Sequence, residues 1–276
     1  MAARFHSFVD QLNGLDWQLA ITTTDLTGDA ALGDGRLVEF AGNIKGRVLN
    51  STMNLNDVKD SFAKSIQRSE KGYWEEQGIA ATYRALERSR SLRDRESRGN
   101  VALVRSDAAL AVIVITDADE SPFMDFFGRP QPTIRNSPAG LAKFIKKTWG
   151  GTKNFVFHSI IVRDGDSDCL SKDGNETYGV AYAALSRMTN GIIGNVCESD
   201  YGSQLKVMGE KVQGLVRTIR LDCSPADADG DQRPDLELEN SSGVSLSSYR
   251  LENMDLVFTQ PLPVGITTVA YKCEVK

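Results

Sequence analysis

Three acidic runs in this 276-residue chain have the composition of ligand sites. The first is Thr116-Asp117-Ala118-Asp119-Glu120-Ser121, directly after the apolar run 110–115. Its three carboxylates and two hydroxyls fall at the C-terminal end of a predicted strand, where open α/β sheets bind ligands. Oxygen donors of this kind suit Mg²⁺ or Mn²⁺. The second run is Asp227-Ala228-Asp229-Gly230-Asp231-Gln232-Arg233-Pro234-Asp235. Alternation of Asp with Gly resembles short Ca²⁺ loops, and Asp227, Asp229, Asp231 and Asp235 are the candidate ligands. The run occurs once, and its twelfth position is Leu238 where an EF-hand carries a bidentate Glu. The competing reading is a solvated acidic turn. Asp164, Asp166 and Asp168 form the third run, read as a solvated loop.

Other chemistry is sparse. The four cysteines (Cys169, Cys197, Cys223, Cys273) contain no Cys-x-x-Cys pair, which argues against zinc and thioredoxin-type sites. Spacing leaves two disulfides or four buried thiols open. His6 lies on a predicted helix and His158 in an apolar strand, far apart in sequence, so both read as packing residues. No Gly-x-Ser-x-Gly, P-loop or Gly-x-Gly-x-x-Gly pattern occurs. A hydrolytic enzyme built on one of the acidic runs would lack a nucleophile–base pair.

The elements that would position these groups alternate between strand and helix. Residues 110–115 are β-branched and almost unbroken in hydrophobicity, the pattern of a parallel strand buried on both faces. Residues 155–162 repeat it. Helices are predicted over 3–12, 57–68 with Asn56 as N-cap, 75–89, 138–148 with Ser137 as cap and Pro138 at N1, 178–188 and 203–216. Residues 17–24 read as a strand, and 37–40 with 48–49 as an edge hairpin. Residues 88–100 are charged and read as a solvated loop or frayed helix extension. The loop 122–137 carries Phe123, Met124, Phe126 and Phe127, read as core or as an apolar rim. From residue 218 onward short strands (235–239, 254–258, 267–275) alternate with turns, as in a small β subdomain.

Composition sets the outer limits. The hydrophobic fraction of 41% is that of a globular protein. A net charge of −5 does not suggest a nucleic-acid partner. No apolar run approaches the ~20 residues of a membrane span. The first six residues show no charged start followed by an apolar core.

The alternation, the Ile115-Thr116-Asp117 strand end, the strand at 15–25 and the helix start Glu76-Gln77-Gly78-Ile79-Ala80-Ala81 together resemble the von Willebrand factor A domain family. The likeness is to bacterial secreted or cell-surface members and covers roughly residues 1–216. Cys169-Leu170, Tyr178-Gly179 and Cys197-Glu198-Ser199-Asp200-Tyr201 are similar to a disulfide-bearing segment of those members. The resemblance implies the pairs Cys169–Cys197 and Cys223–Cys273. It also implies a metal-ion-dependent adhesion site, with Thr116-Asp117 as its third loop and the segment before Gly78 as its second. That segment has no Thr where the family's ligand falls, and Glu75 or Glu76 is the substitute oxygen ligand the resemblance implies.

The family's first metal loop, Asp-x-Ser-x-Ser, occurs nowhere in the chain. The chain begins in what resembles the helix after that loop, so the family's central first strand is absent as well. An upstream start, a true truncation and a strand donated by another chain each account for this.

The resulting expectation is an α/β fold of von Willebrand A type: a doubly wound, mostly parallel sheet over residues 1–217, flanked by helices, with a small β subdomain over 218–276. The expected function is non-enzymatic binding at a cell surface, outside the cell or in the periplasm. Mg²⁺ or Mn²⁺ at Asp117, near Asp119, Glu120, Ser121, Glu75 and Glu76, would engage a protein or glycan ligand. The alternative is a metal-free assembly module that pairs through its open sheet with a strand-donating partner.

Overall fold

The computed structural model describes residues 6–26, 33–67, 75–91, 100, 103–105, 108–124, 127, 129–131, 133–151, 153–172, 177–228, 230–231, 234–241, 243, 246, 248–263 and 267–274. In chain order the N-terminal elements are α1 (His6–Gln11), β1 (Gln18–Leu19), β2 (Leu49–Asn50), α2 (Leu55–Ser65) and α3 (Gly78–Ser89). Next come β3 (Leu110–Ile115), β4 (Phe123–Met124), β5 (Pro130–Gln131), α4 (Pro138–Thr148) and β6 (Phe155–Ile161). Then follow α5 (Ser167–Leu170), α6 (Val180–Met188), β7 (Ile193–Asn195) and α7 (Tyr201–Leu215). The C-terminal strands are β8 (Thr218–Arg220), β9 (Leu236–Asn240), β10 (Tyr249–Glu252), β11 (Asp255–Phe258) and β12 (Thr267–Tyr271).

The fold is mixed α/β around a three-stranded parallel sheet of order β3-β6-β7. Side chains alternate across the pleat and feed two apolar clusters. On one face Ile113, Ile115 and Ile160 meet Phe8 and Val9 of α1, Val58 and Phe62 of α2, and Leu205 and Met208 of α7. On the other Val112, Val114, Phe157 and Ile161 meet Ile79 and Leu86 of α3, Leu141 and Ile145 of α4, and Tyr182 and Leu185 of α6. β6 is central, and six of its seven residues are buried. β3 differs from expectation. Only Val114 of its six residues is buried, because among the described residues β3 pairs with β6 alone.

Which edge of β3 is open follows from its bonds. Leu110 N–H donates to Asn154 C=O (2.8 Å) and Thr116 N–H to Ile160 C=O (3.1 Å). Residues of even number therefore face β6, and the backbone groups of Ala111, Ile113 and Ile115 face the other way.

Other boundaries shift for local reasons. The cap of α2 is Asn54, not Asn56: its carboxamide accepts from Asn56 N (3.0 Å) and Asp57 N (3.3 Å). Ser137 caps α4 as expected, accepting from Gly140 N at 3.1 Å. Of the strand expected at 17–24, only Gln18–Leu19 is regular, paired with β2. Residues 37–40 form no regular strand, although Val38 N–H donates to Ile21 C=O (2.8 Å). That loop is locked onto α3 at Asp34 and Gly35. A Cβ on Gly35, whose φ is +69°, would lie 2.4 Å from Ala85 N. Burial would raise the Asp34 carboxyl, but hydrogen bonds from Arg84 and Arg88 and their charges outweigh it and hold the pKa at about 2. Inside the loop after β3, the β4–β5 hairpin leaves Phe127 75% exposed. Phe126 and the Met124 side chain lie outside the described residues.

The C-terminal strands form two small antiparallel sheets, β10-β11-β8 and β12-β9, around Leu221, Leu256 and Phe258. The cysteines pair as Cys169–Cys197 and Cys223–Cys273. No helix among the described residues is long and apolar enough to cross a membrane.

Candidate functional site

The acidic run after β3 meets the N-termini of two helices that have no side-chain cap of their own. The first residues of a helix leave backbone N–H groups without intrahelical acceptors, and a carboxylate there is favoured by both hydrogen bonding and the helix dipole. Glu120 takes this place on α3: its two oxygens accept from Ile79 N (2.7 Å) and Ala80 N (2.9 Å). Asp119 does so on α6, accepting from Ala181 N at 2.9 Å, while its own N–H donates to Thr177 Oγ1 (2.8 Å). Burial pushes the Glu120 carboxyl up to about 7, against the pull of those N–H groups. Burial raises Asp119 as well. The Tyr182 hydroxyl accepts from Gly78 N (2.9 Å) and reaches Glu120, so α3, α6 and the loop close on one another.

The remaining groups sit beside this knot. The Thr116 hydroxyl is buried and donates to Glu76 Oε2. Burial raises the Glu76 carboxyl, and the charge of Asp117 adds to the shift. Asp117 is the exposed carboxylate of the run, and Glu75 is partly exposed. Ser121 contributes its backbone: its N–H donates to Glu76 C=O (2.7 Å), and its C=O accepts from Gln77 Nε2 (3.2 Å).

Mg²⁺ requires near-octahedral oxygen coordination. Here the Asp119 and Glu120 oxygens already accept helix N–H groups and Glu76 accepts from Thr116. Asp117 with Glu75 falls short of that set. Among the described residues no group of three His, Cys, Asp or Glu side chains is arranged to hold a metal.

The other acidic runs are local turns. Asp227 accepts from Gly230 N (2.8 Å), and Asp235 accepts from Ala228 N (2.7 Å). Asp231 is exposed, and Asp229 lies outside the described residues. Asp166 caps α5 through Cys169 N (3.0 Å) and also accepts from Asn195 Nδ2 (2.8 Å). The cap places Cys169 against Cys197 at a Cα separation of 5.6 Å.

Gln77 enters the sequence reading only as part of the family-like run 76–81, with no role of its own, yet it bonds to two separate segments. It is 1% exposed; its N–H donates to Thr24 C=O (2.9 Å) and its Nε2 to Ser121 C=O, while its Oε1 is buried without a hydrogen-bond partner. Its position directly before a helix with no Ser, Thr, Asp or Asn cap was the available clue. Gln204 was equally silent; on the opposite edge of the sheet it holds both backbone groups of Asn195, accepting from N (2.7 Å) and donating to O (3.1 Å).

No family model, curated protein or solved structure matches the chain.

Proposed function

We propose that the chain is a non-enzymatic binding and assembly module that takes an extended segment of a partner protein along the open edge of β3. The observation that carries this reading is β3 itself: six apolar residues, Leu-Ala-Val-Ile-Val-Ile, paired on one side only among the described residues and flanked by apolar clusters on both faces. An unpaired apolar strand is a template for β-augmentation, in which main-chain bonds supply affinity and side-chain pockets supply selectivity. Two disulfides fit an oxidising compartment, so the module is assigned to the cell surface, the extracellular space or the periplasm.

A second reading is metal-dependent adhesion. In it Mg²⁺ or Mn²⁺ at Asp117 engages a protein or glycan carboxylate, and Ca²⁺ sits at Asp227–Asp235. The exposure of Asp117 next to Glu76 favours it; the oxygens already committed at Asp119 and Glu120 weigh against it.

One experiment separates the two. Fluorescent peptides with six consecutive β-branched apolar residues, flanked by lysines, are titrated against the intact chain with and without EDTA. Binding that survives EDTA and falls at least tenfold in Ala111→Pro supports strand acceptance. The Ala111 N–H lies on the free edge, so this proline spares the β6 ladder. Absence of peptide binding defeats the reading, and loss of binding in EDTA hands the site to the metal.

A further inference from the structure

Residues 16–24 begin at a tie to the segment before β3 and end at a tie to the loop after it, so the two run in the same direction. Before β3, the Arg105 guanidinium pairs with the Asp16 carboxylate and donates to Asp16 C=O at 2.9 Å. Beyond β3, Gln77 joins Thr24 C=O to Ser121 C=O. Between these ties no strand pairing links the two segments among the described residues.

Both segments turn the free edge of their backbone toward the interval. Trp17 C=O accepts from Ser51 N (3.1 Å) and Ile21 C=O from Val38 N (2.8 Å), so the odd residues of this segment face the hairpin. The backbone groups of Gln18, Ala20 and Thr22 therefore face the opposite side. Leu19 and Ile21 share one apolar cluster with Ile113 and Ile115, which keeps the segments neighbours across the interval.

Two buried carboxamide oxygens on this route lack a donor, Gln18 Oε1 and Gln77 Oε1. Leaving a buried acceptor unsatisfied costs about 1–3 kcal/mol. Gln77 is the better placed of the two. Its two nitrogens are committed to Thr24 at the end of one segment and to Ser121 in the loop that follows β3, so its free oxygen lies just beyond the C-terminal end of the interval.

We infer that residues 16–24 and β3 form the walls of a slot for one strand, occupied by a lone extended segment supplied by a partner polypeptide and registered by a donor to Gln77 Oε1. The inference rests on the strand-accepting reading above. The occupant is uncharged over about six residues and apolar on both faces, because a strand there joins the clusters above and below the sheet. Directly beyond its apolar stretch it presents a backbone N–H or a hydroxyl to Gln77. The β3 edge of a second copy is a poor occupant. It arrives with its own sheet attached, whereas the slot has a wall on each side and admits one strand only.

The test uses the intact chain and the peptides above, N-methylated at one position at a time. A segment lodged between two walls uses the N–H of every residue, with alternate residues bonding to opposite walls. Each N-methyl group along the apolar stretch is then expected to weaken binding about tenfold, near the upper end of a single backbone hydrogen bond. N-methylation at the first residue beyond the stretch is expected to weaken binding to the wild type but not to Gln77→Leu. Sensitivity at every second residue only would mean simple addition to β3, overturning the slot and leaving the binding reading intact. Equal effects of the terminal N-methyl group on wild type and Gln77→Leu would overturn the role of Gln77. If the unmodified peptide does not bind, the reading beneath both fails.

Discussion

The two edges of the parallel sheet are treated in opposite ways. At β7 the edge is closed by side chains: the Gln204 carboxamide bonds both backbone groups of Asn195, imitating a neighbouring strand. The Asn195 side chain in turn accepts from Cys197 N (2.8 Å) and donates to Asp166, next to the Cys169–Cys197 bridge. At β3 no comparable cover exists among the described residues, although β3 is twice as long and wholly apolar. Exposed edges are ordinarily blocked by charge, proline, a bulge or a covering group. A cover at one edge and none at the other among the described residues is the contrast on which the proposed strand acceptance rests.

The most forceful way to erase this contrast is to remove the covalent tie at the closed edge. Replacing Cys169 and Cys197 with Ser is expected to cost about 2–5 kcal/mol. Hydrogen exchange should then show residues 193–195 losing protection while β3 changes little. Uniform loss across the sheet would mean that the bridge holds the whole fold rather than one edge.

Acid should act next, and on the same side. His158 lies in β6 with its side chain fully buried, and its Nδ1 accepts from Ile192 N (2.9 Å) just before β7. Burial, aided by the charge of Lys211, lowers its pKa to about 4. Unfolded histidine titrates near 6.5, so below that pH the unfolded chain binds the extra proton and stability falls as the pH drops toward 4. The full loss is about 3 kcal/mol at 1.36 kcal/mol per pH unit. Glu120 works in the opposite sense. Its folded pKa of about 7 exceeds the usual 4.5, so its contribution to stability grows as the pH falls from 7 to 4.5. Urea midpoints for wild type and His158→Gln at pH 7 and pH 4.5 separate the two. The variant should show less acid loss than the wild type; an equal loss would place the acid-sensitive group elsewhere.

Much of this architecture was legible in the residues, and the limits have identifiable causes. β6 and α4 could be read locally, from an apolar run and from Ser137-Pro138. β7 could not, since Ile-Gly-Asn becomes a strand only by pairing with β6. β3 reads as a strand covered on both faces, and apolar clusters do flank both; its side chains are less buried than that pattern implies, because an apolar run does not state whether a neighbour pairs along each edge. At the site, Asp119 and Glu120 read naturally as metal ligands beside a strand end. Their engagement as caps depends on contacts spanning 62 and 41 residues, to Ala181 and Ile79, beyond the reach of any local pattern. The disulfide pairing was implied by the family likeness alone.

A gentler change at the closed edge is Gln204→Ala. It removes two hydrogen bonds to Asn195, and each is expected to contribute roughly 0.5–1.5 kcal/mol. The Asn195 amide should lose exchange protection, and the chain should begin to self-associate through β7, visible as a concentration-dependent sedimentation coefficient. A variant that stays monomeric would show that Gln204 stabilises α7 against the sheet without guarding the edge.

The sharpest test of how that edge is closed is a coupling rather than a loss. A Cβ on Gly194 would lie 1.9 Å from Gln204 Oε1 and 3.1 Å from Ile160 Cγ1. The first contact is with the end of a flexible side chain, which can swing away at the cost of its bonds to Asn195. The second requires only a small adjustment. Gly194→Ala should therefore cost about as much as Gln204→Ala in the wild-type background and much less once Gln204 is already Ala. The two changes act on one pair of hydrogen bonds, so a double-mutant cycle should return a coupling of at least about 0.5 kcal/mol. Additivity would mean that the carboxamide finds another way onto the edge, or that glycine is needed there for the close approach of β6. In either case the difference between the two edges would lie in the backbone rather than in a side-chain cover.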